Sequence, residues 1–186
     1  MIDNQPFHGQ AERDAHALAI GKIAMAWNEY HSILGELYSD LFTHGRNWQL
    51  ALAAWHSIPS DKTQRDMLRK VAELKFKTSS RELKEINWLL EKTNEVVSVQ
   101  RNIGLHTLLW SFVADDGKHL ILPIVSNDRT AKALANTKVL HEYIHYEKQI
   151  RKMLSFAVGL QFALSPRRKG KKQWPERPAL SKRSSP

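Results

Sequence analysis

The chain has no cysteine among its 186 residues. That excludes disulfides, thiolate nucleophiles and cysteine-based zinc sites. It lacks any run approaching the roughly 18 consecutive apolar residues of a membrane span. The N-terminus, MIDNQPFHGQAERD, has none of the basic-then-apolar layout of a secretory signal. There is no glycine-rich phosphate loop and no internal repeat. Acidic residues are few beside basic ones, 19 against 28, for a formal net charge of +9. What remains is 42% hydrophobic, enough for one core. These features point to a cytoplasmic protein with no membrane partner.

The positive charge is concentrated at one end. Residues 165–186 hold Arg167, Arg168, Lys169, Lys171, Lys172, Arg177, Lys182 and Arg183 against Glu176 alone, which is +7 of the total and leaves +2 for residues 1–164. A short basic stretch rich in Pro and Ser reads as a disordered tail, with Pro166 ending the folded domain. It serves either solubility or non-specific attraction to phosphate backbones, with Trp174 available to stack on a base.

Apolar periodicity organises the rest. Ile20, Ile23, Trp27, Tyr30, Leu34, Leu37 and Leu41 recur at spacings of three and four, which predicts a helix from about Gln10 to Phe42. The segment THGRN interrupts it, and a short helix follows from about Trp48 to His56. Ser60 is placed as the N-cap of a third helix reaching about Phe76, with Met67, Val71 and Leu74 inward. Ser79 and Glu82 have capping-box spacing and open a fourth, with a stripe of Leu83, Ile86, Leu90, Thr93 and Val97. Between Trp110 and Val125 the period changes. WSFVA and HLILPIV flank Asp115-Asp116-Gly117-Lys118, a tight-hairpin signal, and Pro123 fits only an edge strand. A last helix is expected from about Thr130 or Asn136 to Leu164, on a stripe of Val139, Tyr143, Tyr146, Ile150, Met153, Ala157 and Leu160. The expected fold is mainly α: a bundle of about five helices with a small β-hairpin over residues 1–164, then the basic tail over 165–186.

Two motifs carry chemistry. The first is Arg101-Asn102-Ile103-Gly104-Leu105-His106, closing the fourth helix. With 12 Arg and 9 His in the chain, an Arg followed five positions later by a His arises by chance roughly 0.6 times, and an Asn directly after the Arg lowers this to about 0.03. Arg101 continues the helix stripe, within about 60° of its centre. A guanidinium there is costly unless a carboxylate or a ligand phosphate meets it, or unless it snorkels past the helix end. Cleaving RNA without a metal needs a base for the 2′-hydroxyl, an acid for the leaving 5′-oxygen and a cation for the charge that builds on phosphorus. His106 can exchange protons near neutral pH, and Arg101 can grip phosphate oxygens in a fork. Five residues amount to an offset of about 140°, so the two do not share a face of a straight helix. Gly104 is expected to loosen the last turn. Asn102, four before His106, is placed to orient its ring or to contact phosphate.

The second motif is His141-Glu142-Tyr143-Ile144-His145, the HExxH pattern in which two His bind zinc and the Glu activates water. Geometry weighs against a peptidase. The stripe of that helix is centred near Tyr143 and Tyr146, and His141 and His145 lie about 160° and 200° from Tyr143, facing away. The downstream carboxylates are Glu147, too close, and Glu176, in the tail. No metal is therefore expected. His141 and His145 with Glu142 as base stand as the minor alternative.

An RNxxxH motif closing a long amphipathic helix, in an otherwise helical chain of this size, resembles the HEPN superfamily of nucleotide-binding domains. The resemblance covers the helical body, residues 10–164, and only the motif is specific to it. It implies a metal-independent endoribonuclease with no cofactor, in which the motifs of two protomers meet across a cleft. Arg101 would bind the scissile phosphate, His106 transfer protons and Asn102 support them. The 2′-hydroxyl would attack, leaving a 2′,3′-cyclic phosphate and a 5′-hydroxyl. Members that act as toxins or anti-phage effectors imply RNA, a second copy of the chain and an antitoxin or defence-complex protein as partners. The alternative is a non-catalytic HEPN-like binding or scaffolding subunit.

Overall fold

The computed structural model describes residues 9–43, 46–123, 129–135, 137–165 and 173–184. They form a mainly helical body with one two-stranded antiparallel sheet. Helix α1 (Gln10–Thr43) is the spine. It packs along α7 (Val139–Leu164) and also meets α2 (Trp48–His56), α3 (Asp61–Lys75) and α5 (Ser98–His106). Its stripe is buried as the spacing requires, from Ile23 through Leu41, with Ile20 partly covered. The α7 stripe from Val139 to Leu160 is buried too. Of the two starts expected for the last helix, the later, near Asn136, is the nearer to α7, and α6 (Arg129–Leu134) is a separate short helix before it.

Ser60 caps α3, its hydroxyl accepting from Thr63 N at 3.3 Å. The inward face of α3 differs from the expected one. Leu74 is 89% exposed, Met67 and Val71 are half-buried, and Gln64, Arg65, Leu68 and Ala72 point inward. The side-chain amide of Gln64 donates to Trp55 O at 2.8 Å, which also accepts from Ile58 N at 3.3 Å, and to Ile58 O at 3.0 Å, tying α3 to the chain that leaves α2. Helix α4 (Arg81–Lys92) is capped by Ser80 rather than Ser79, with the Ser80 hydroxyl accepting from Leu83 N at 3.2 Å.

Helix α4 continues into α5 through a π-helical turn, Thr93–Val97. The Thr93 hydroxyl donates to Leu89 O at 2.6 Å and accepts from the buried Tyr30 hydroxyl. Such back-bonding disturbs the regular ladder, and Ser98 N–H reaches Thr93 O, one residue beyond the α spacing. Beyond the bulge the buried positions are Gln100, Ile103 and Gly104. Gly104 leaves the last turn intact. Its role is close approach, since a Cβ there would lie 2.7 Å from Ile23 Cδ1 on α1.

Strands β1 (Leu109–Val113) and β2 (His119–Pro123) pair with Trp110 opposite Leu122 and Phe112 opposite Leu120. Gly117 makes the turn at φ 79°, a conformation that side chains resist. Trp110, Phe112, Leu120 and Leu122 share one face of the hairpin, and all four are exposed.

The tail departs from expectation. Residues 166–172, with five of its cations, lie outside the described residues, but 173–184 run over α4, α5 and α7 as a strap. Trp174 and Leu180 pack on the core, and Pro175 sits against Gly159. Arg177 Nε meets Glu85 Oε2 at 2.8 Å. Gln100 Nε2 donates to Ser181 O at 2.8 Å, Lys152 Nζ to Ala179 O at 3.0 Å, and Ser181 N to Gln149 Oε1 at 3.1 Å. Buried Gln100, Gln149 and Glu85 on the body thus find their partners in the strap, which overrides a composition that reads as disordered. Trp174 is not held out for a base, because the Arg81 guanidinium lies 4.8 Å from its ring centre. Among the described residues no helix is long and apolar enough to cross a membrane.

Candidate functional site

The chemistry gathers around Trp27, on the buried stripe of α1. Two guanidiniums approach its ring: Arg101 at 5.4 Å and Arg65 at 5.8 Å from the centroid. One carboxylate stands beside them, in ion-pair range of Arg101 alone. Asp61, at the first turn of α3, accepts from Trp27 Nε1 at 3.1 Å through Oδ2, and the same oxygen stands 3.8 Å from Arg101 Nη2. Arg101 Nη1 donates to Asn102 Oδ1 at 2.9 Å, and Arg101 Nε is buried with no hydrogen-bond partner. Arg65 is only 4% exposed. Its Nε donates to Asn94 Oδ1, in the π turn, at 2.9 Å, and its Nη1 approaches His31 Nε2 at 3.5 Å.

These groups line an open cleft of about 640 Å³ between α3, the π turn and α5. A smaller cleft of about 320 Å³, which adds His31, His56 and Gln64, adjoins it, and Trp27, Asp61 and Arg101 border both. Two cations against one carboxylate leave the cluster net positive, and the first turn of α3 adds the positive end of its dipole. His31 lies between Trp27 and Trp55, with ring centres 5.3 and 5.8 Å away. Burial first, then the charges of Arg65 and Arg101 against the opposing pull of Asp61, hold its pKa down at about 4, so the ring is neutral at pH 7. Burial likewise pulls Arg65 below the ordinary arginine value.

The structure therefore brings Arg101 and Asn102 together in the cleft, and leaves His106 outside it. His106 is the last residue of α5, exposed, and lines neither cleft. Asn102 Oδ1 thus accepts from the Arg101 guanidinium. Trp27, His31, Asp61, Arg65 and Asn94 were missed in the sequence. The available signal was faint: Trp27 with His31 and Asp61 with Arg65, each four apart on one helix.

Two of the HExxH residues, Glu142 and His145, hold the strap. Glu142 is buried and accepts from the Ser184 hydroxyl, and from Ser184 N at 3.4 Å. His145 Nε2 donates to Ser181 O at 3.1 Å, which makes it half-buried where the helix pattern alone had it facing outward; His141 is exposed. Among the described residues no three His, Asp or Glu side chains are grouped to hold a metal ion. A third cleft, about 420 Å³, lies between α1, α2 and α7; it presents Glu36 and Asp40 and so disfavours anions. Comparison with family models, with curated proteins and with solved structures returns no match for this chain.

Proposed function

We propose that the chain is a metal-independent endoribonuclease of HEPN type, acting as a homodimer. One observation carries the reading: Arg101, the motif arginine, borders a net-positive cleft with its nearest carboxylate 3.8 Å away and already taken by Trp27, which leaves its fork for a phosphate. Arg101 binds the scissile phosphate, Asn102 sets the plane of its fork, and His106 moves the proton between the 2′-hydroxyl and the leaving 5′-oxygen. Because His106 lies outside the cleft that Arg101 lines, a second protomer has to supply it. The hairpin that begins three residues after His106 exposes Trp110, Phe112, Leu120 and Leu122 on one face, the kind of apolar patch that marks an interface and that would carry His106 toward a second copy.

The test is cleavage of single-stranded RNA in excess chelator, with products checked for a 2′,3′-cyclic end. Substituting His106→Ala or Arg101→Ala should lower the rate by about 10²–10⁴ with the fold intact. A dimer that leaves varied RNAs whole, or a fully active His106→Ala variant, would remove the catalytic reading in favour of a binding subunit, which the exposed position of His106 outside the cleft also fits.

A further inference from the structure

We propose that Arg65, on α3, is the second jaw of a two-arginine clamp for a phosphoryl oxyanion, held open by Asn94. The inference rests on the Arg101 cleft described above and names the group that the cleft receives and the residue that completes it. A guanidinium has five N–H donors. The contacts of Arg65 occupy two of them, one with a neutral amide at 2.9 Å and one, long at 3.5 Å, with a neutral imidazole. Among the described residues no carboxylate oxygen stands within 4 Å of it, although it is 4% exposed. Asp61 and Asp66 reach it only through space, and Asp66 is held by Lys62 at 2.7 Å. A cation buried to this extent normally has a charged partner, because desolvation costs more than neutral hydrogen bonds return.

Arg101 is short of partners in the same way. Its buried Nε is bare, and its nearest carboxylate is 3.8 Å away and already accepts from Trp27. Both side chains border the same 640 Å³ cleft, within the range that holds small ligands, and both lie against one indole. The first turn of α3, Ser60 to Lys62, forms another wall. An anion with several oxygens satisfies all of this at once. A phosphate group has oxygens enough to take the free edges of two guanidiniums together. Asn94 is a positioning residue: an amide in the π turn holds Arg65 Nε without neutralising it, whereas a carboxylate there would close the clamp.

The test uses the full chain and three probes: inorganic phosphate, a nucleoside 5′-monophosphate and a fluorescent 12-nucleotide single-stranded RNA that cannot be cleaved because its 2′-oxygens are methylated. Binding is read by anisotropy and by the rise in melting temperature. Arg65→Lys keeps the charge and loses the fork, and should weaken the oligonucleotide at least tenfold. Asn94→Asp should raise the melting temperature of the free protein and also weaken the oligonucleotide at least tenfold, opposite signs that a merely structural Asn94 would not give. Inorganic phosphate or the monophosphate competing with the oligonucleotide supports the clamp with a free phosphate group as sufficient ligand. Binding of the oligonucleotide alone, sensitive to both variants, supports it with the RNA backbone as the source. If no probe binds, or if Asn94→Asp binds as the wild type does, the clamp is overturned; should Arg65→Lys fail to fold, Asn94→Asp decides. Clamp and cleavage fail separately. Arg65-dependent binding without any cleavage of unmodified RNA leaves the clamp and removes the nuclease, whereas undiminished cleavage by both variants does the reverse.

Discussion

Two clusters in this molecule are built from the same parts, a pair of arginines, tryptophan and one acid, yet they are in opposite states. On the strap side, Arg177 lies 5.2 Å from the Trp88 ring and 2.8 Å from Glu85, while Arg81 covers Trp174 and stands 3.9 Å from the same Glu85. On the cleft side, Arg65 and Arg101 share Trp27, and the single acid, Asp61, spends its hydrogen bond on the indole. The first cluster is closed by a carboxylate that accepts a hydrogen bond from one of its arginines and by a covering segment of chain. In the second, Asp61 stands 3.8 Å from Arg101 but accepts from the indole and from neither guanidinium, and no segment among the described residues covers it. Aromatic–cation contacts alone therefore do not tell a structural cluster from a receptive one; whether an arginine hydrogen-bonds the carboxylate does.

The largest expected effect falls on the closed cluster. Truncation after Gln173 removes Trp174, Leu180 and Arg177 and strands Glu85, Gln100 and Glu142. It should cost about 2–4 kcal/mol in urea unfolding, chiefly from uncovering the apolar surface under Trp174 and Leu180, while the cleft keeps its affinity for RNA in whatever fraction stays folded. A truncated chain of unchanged stability would mean that the strap is only draped on the surface.

Next is the pH response of the open cluster. The His31 pKa is lowered in the folded state, from 6.5 to about 4. A depressed pKa gives stability that is complete above the unfolded value and is lost as pH falls through the folded one. Stability should therefore decline between about pH 6.5 and pH 4, by up to about 3 kcal/mol at 1.36 kcal/mol per unit, and His31→Phe should flatten that part of the curve. An identical acid limb in His31→Phe would place the titrating group elsewhere.

The smallest effect is the sharpest contrast. Glu85→Gln should cost about 1–3 kcal/mol, because a hydrogen-bonded charge is lost from a buried site. Asp61→Asn keeps an acceptor for Trp27 Nε1 and, losing only a half-exposed ion pair, should cost about 1 kcal/mol or less, while tightening oligonucleotide binding because it removes the acid that competes with phosphate. Equal destabilisation by the two substitutions would erase the distinction between the clusters.

How far the sequence was legible follows the same division. Helices α1 and α2 and the hairpin were readable because period and turn chemistry are local, and Ser60 was readable as a cap. The face of α3 was not, because Gln64 and Arg65 turn inward to partners on α2 and in the π turn, and period-based reasoning assigns the inside to apolar residues. The strap was misread as disordered for the converse reason: its partners Glu85, Gln100, Gln149 and Glu142 lie 32 to 92 positions away. Of the candidate site, Arg101 and Asn102 were readable from their motif; the groups that surround them come from three other segments, and only packing brings those together.

The central claim, that Arg101 of one protomer works with His106 of another, is tested most directly by mixing two inactive homodimers, Arg101→Ala and His106→Ala, under conditions that let subunits exchange. A mixed dimer keeps one Arg101 and one His106, on different chains. The expected result is that RNA cleavage in chelator, at least about 10²-fold down in each parent, returns on mixing to a sizeable fraction of the wild-type rate and tracks the amount of mixed dimer. No recovery in a verified mixed dimer would contradict the claim, and would place any catalysis within a single chain.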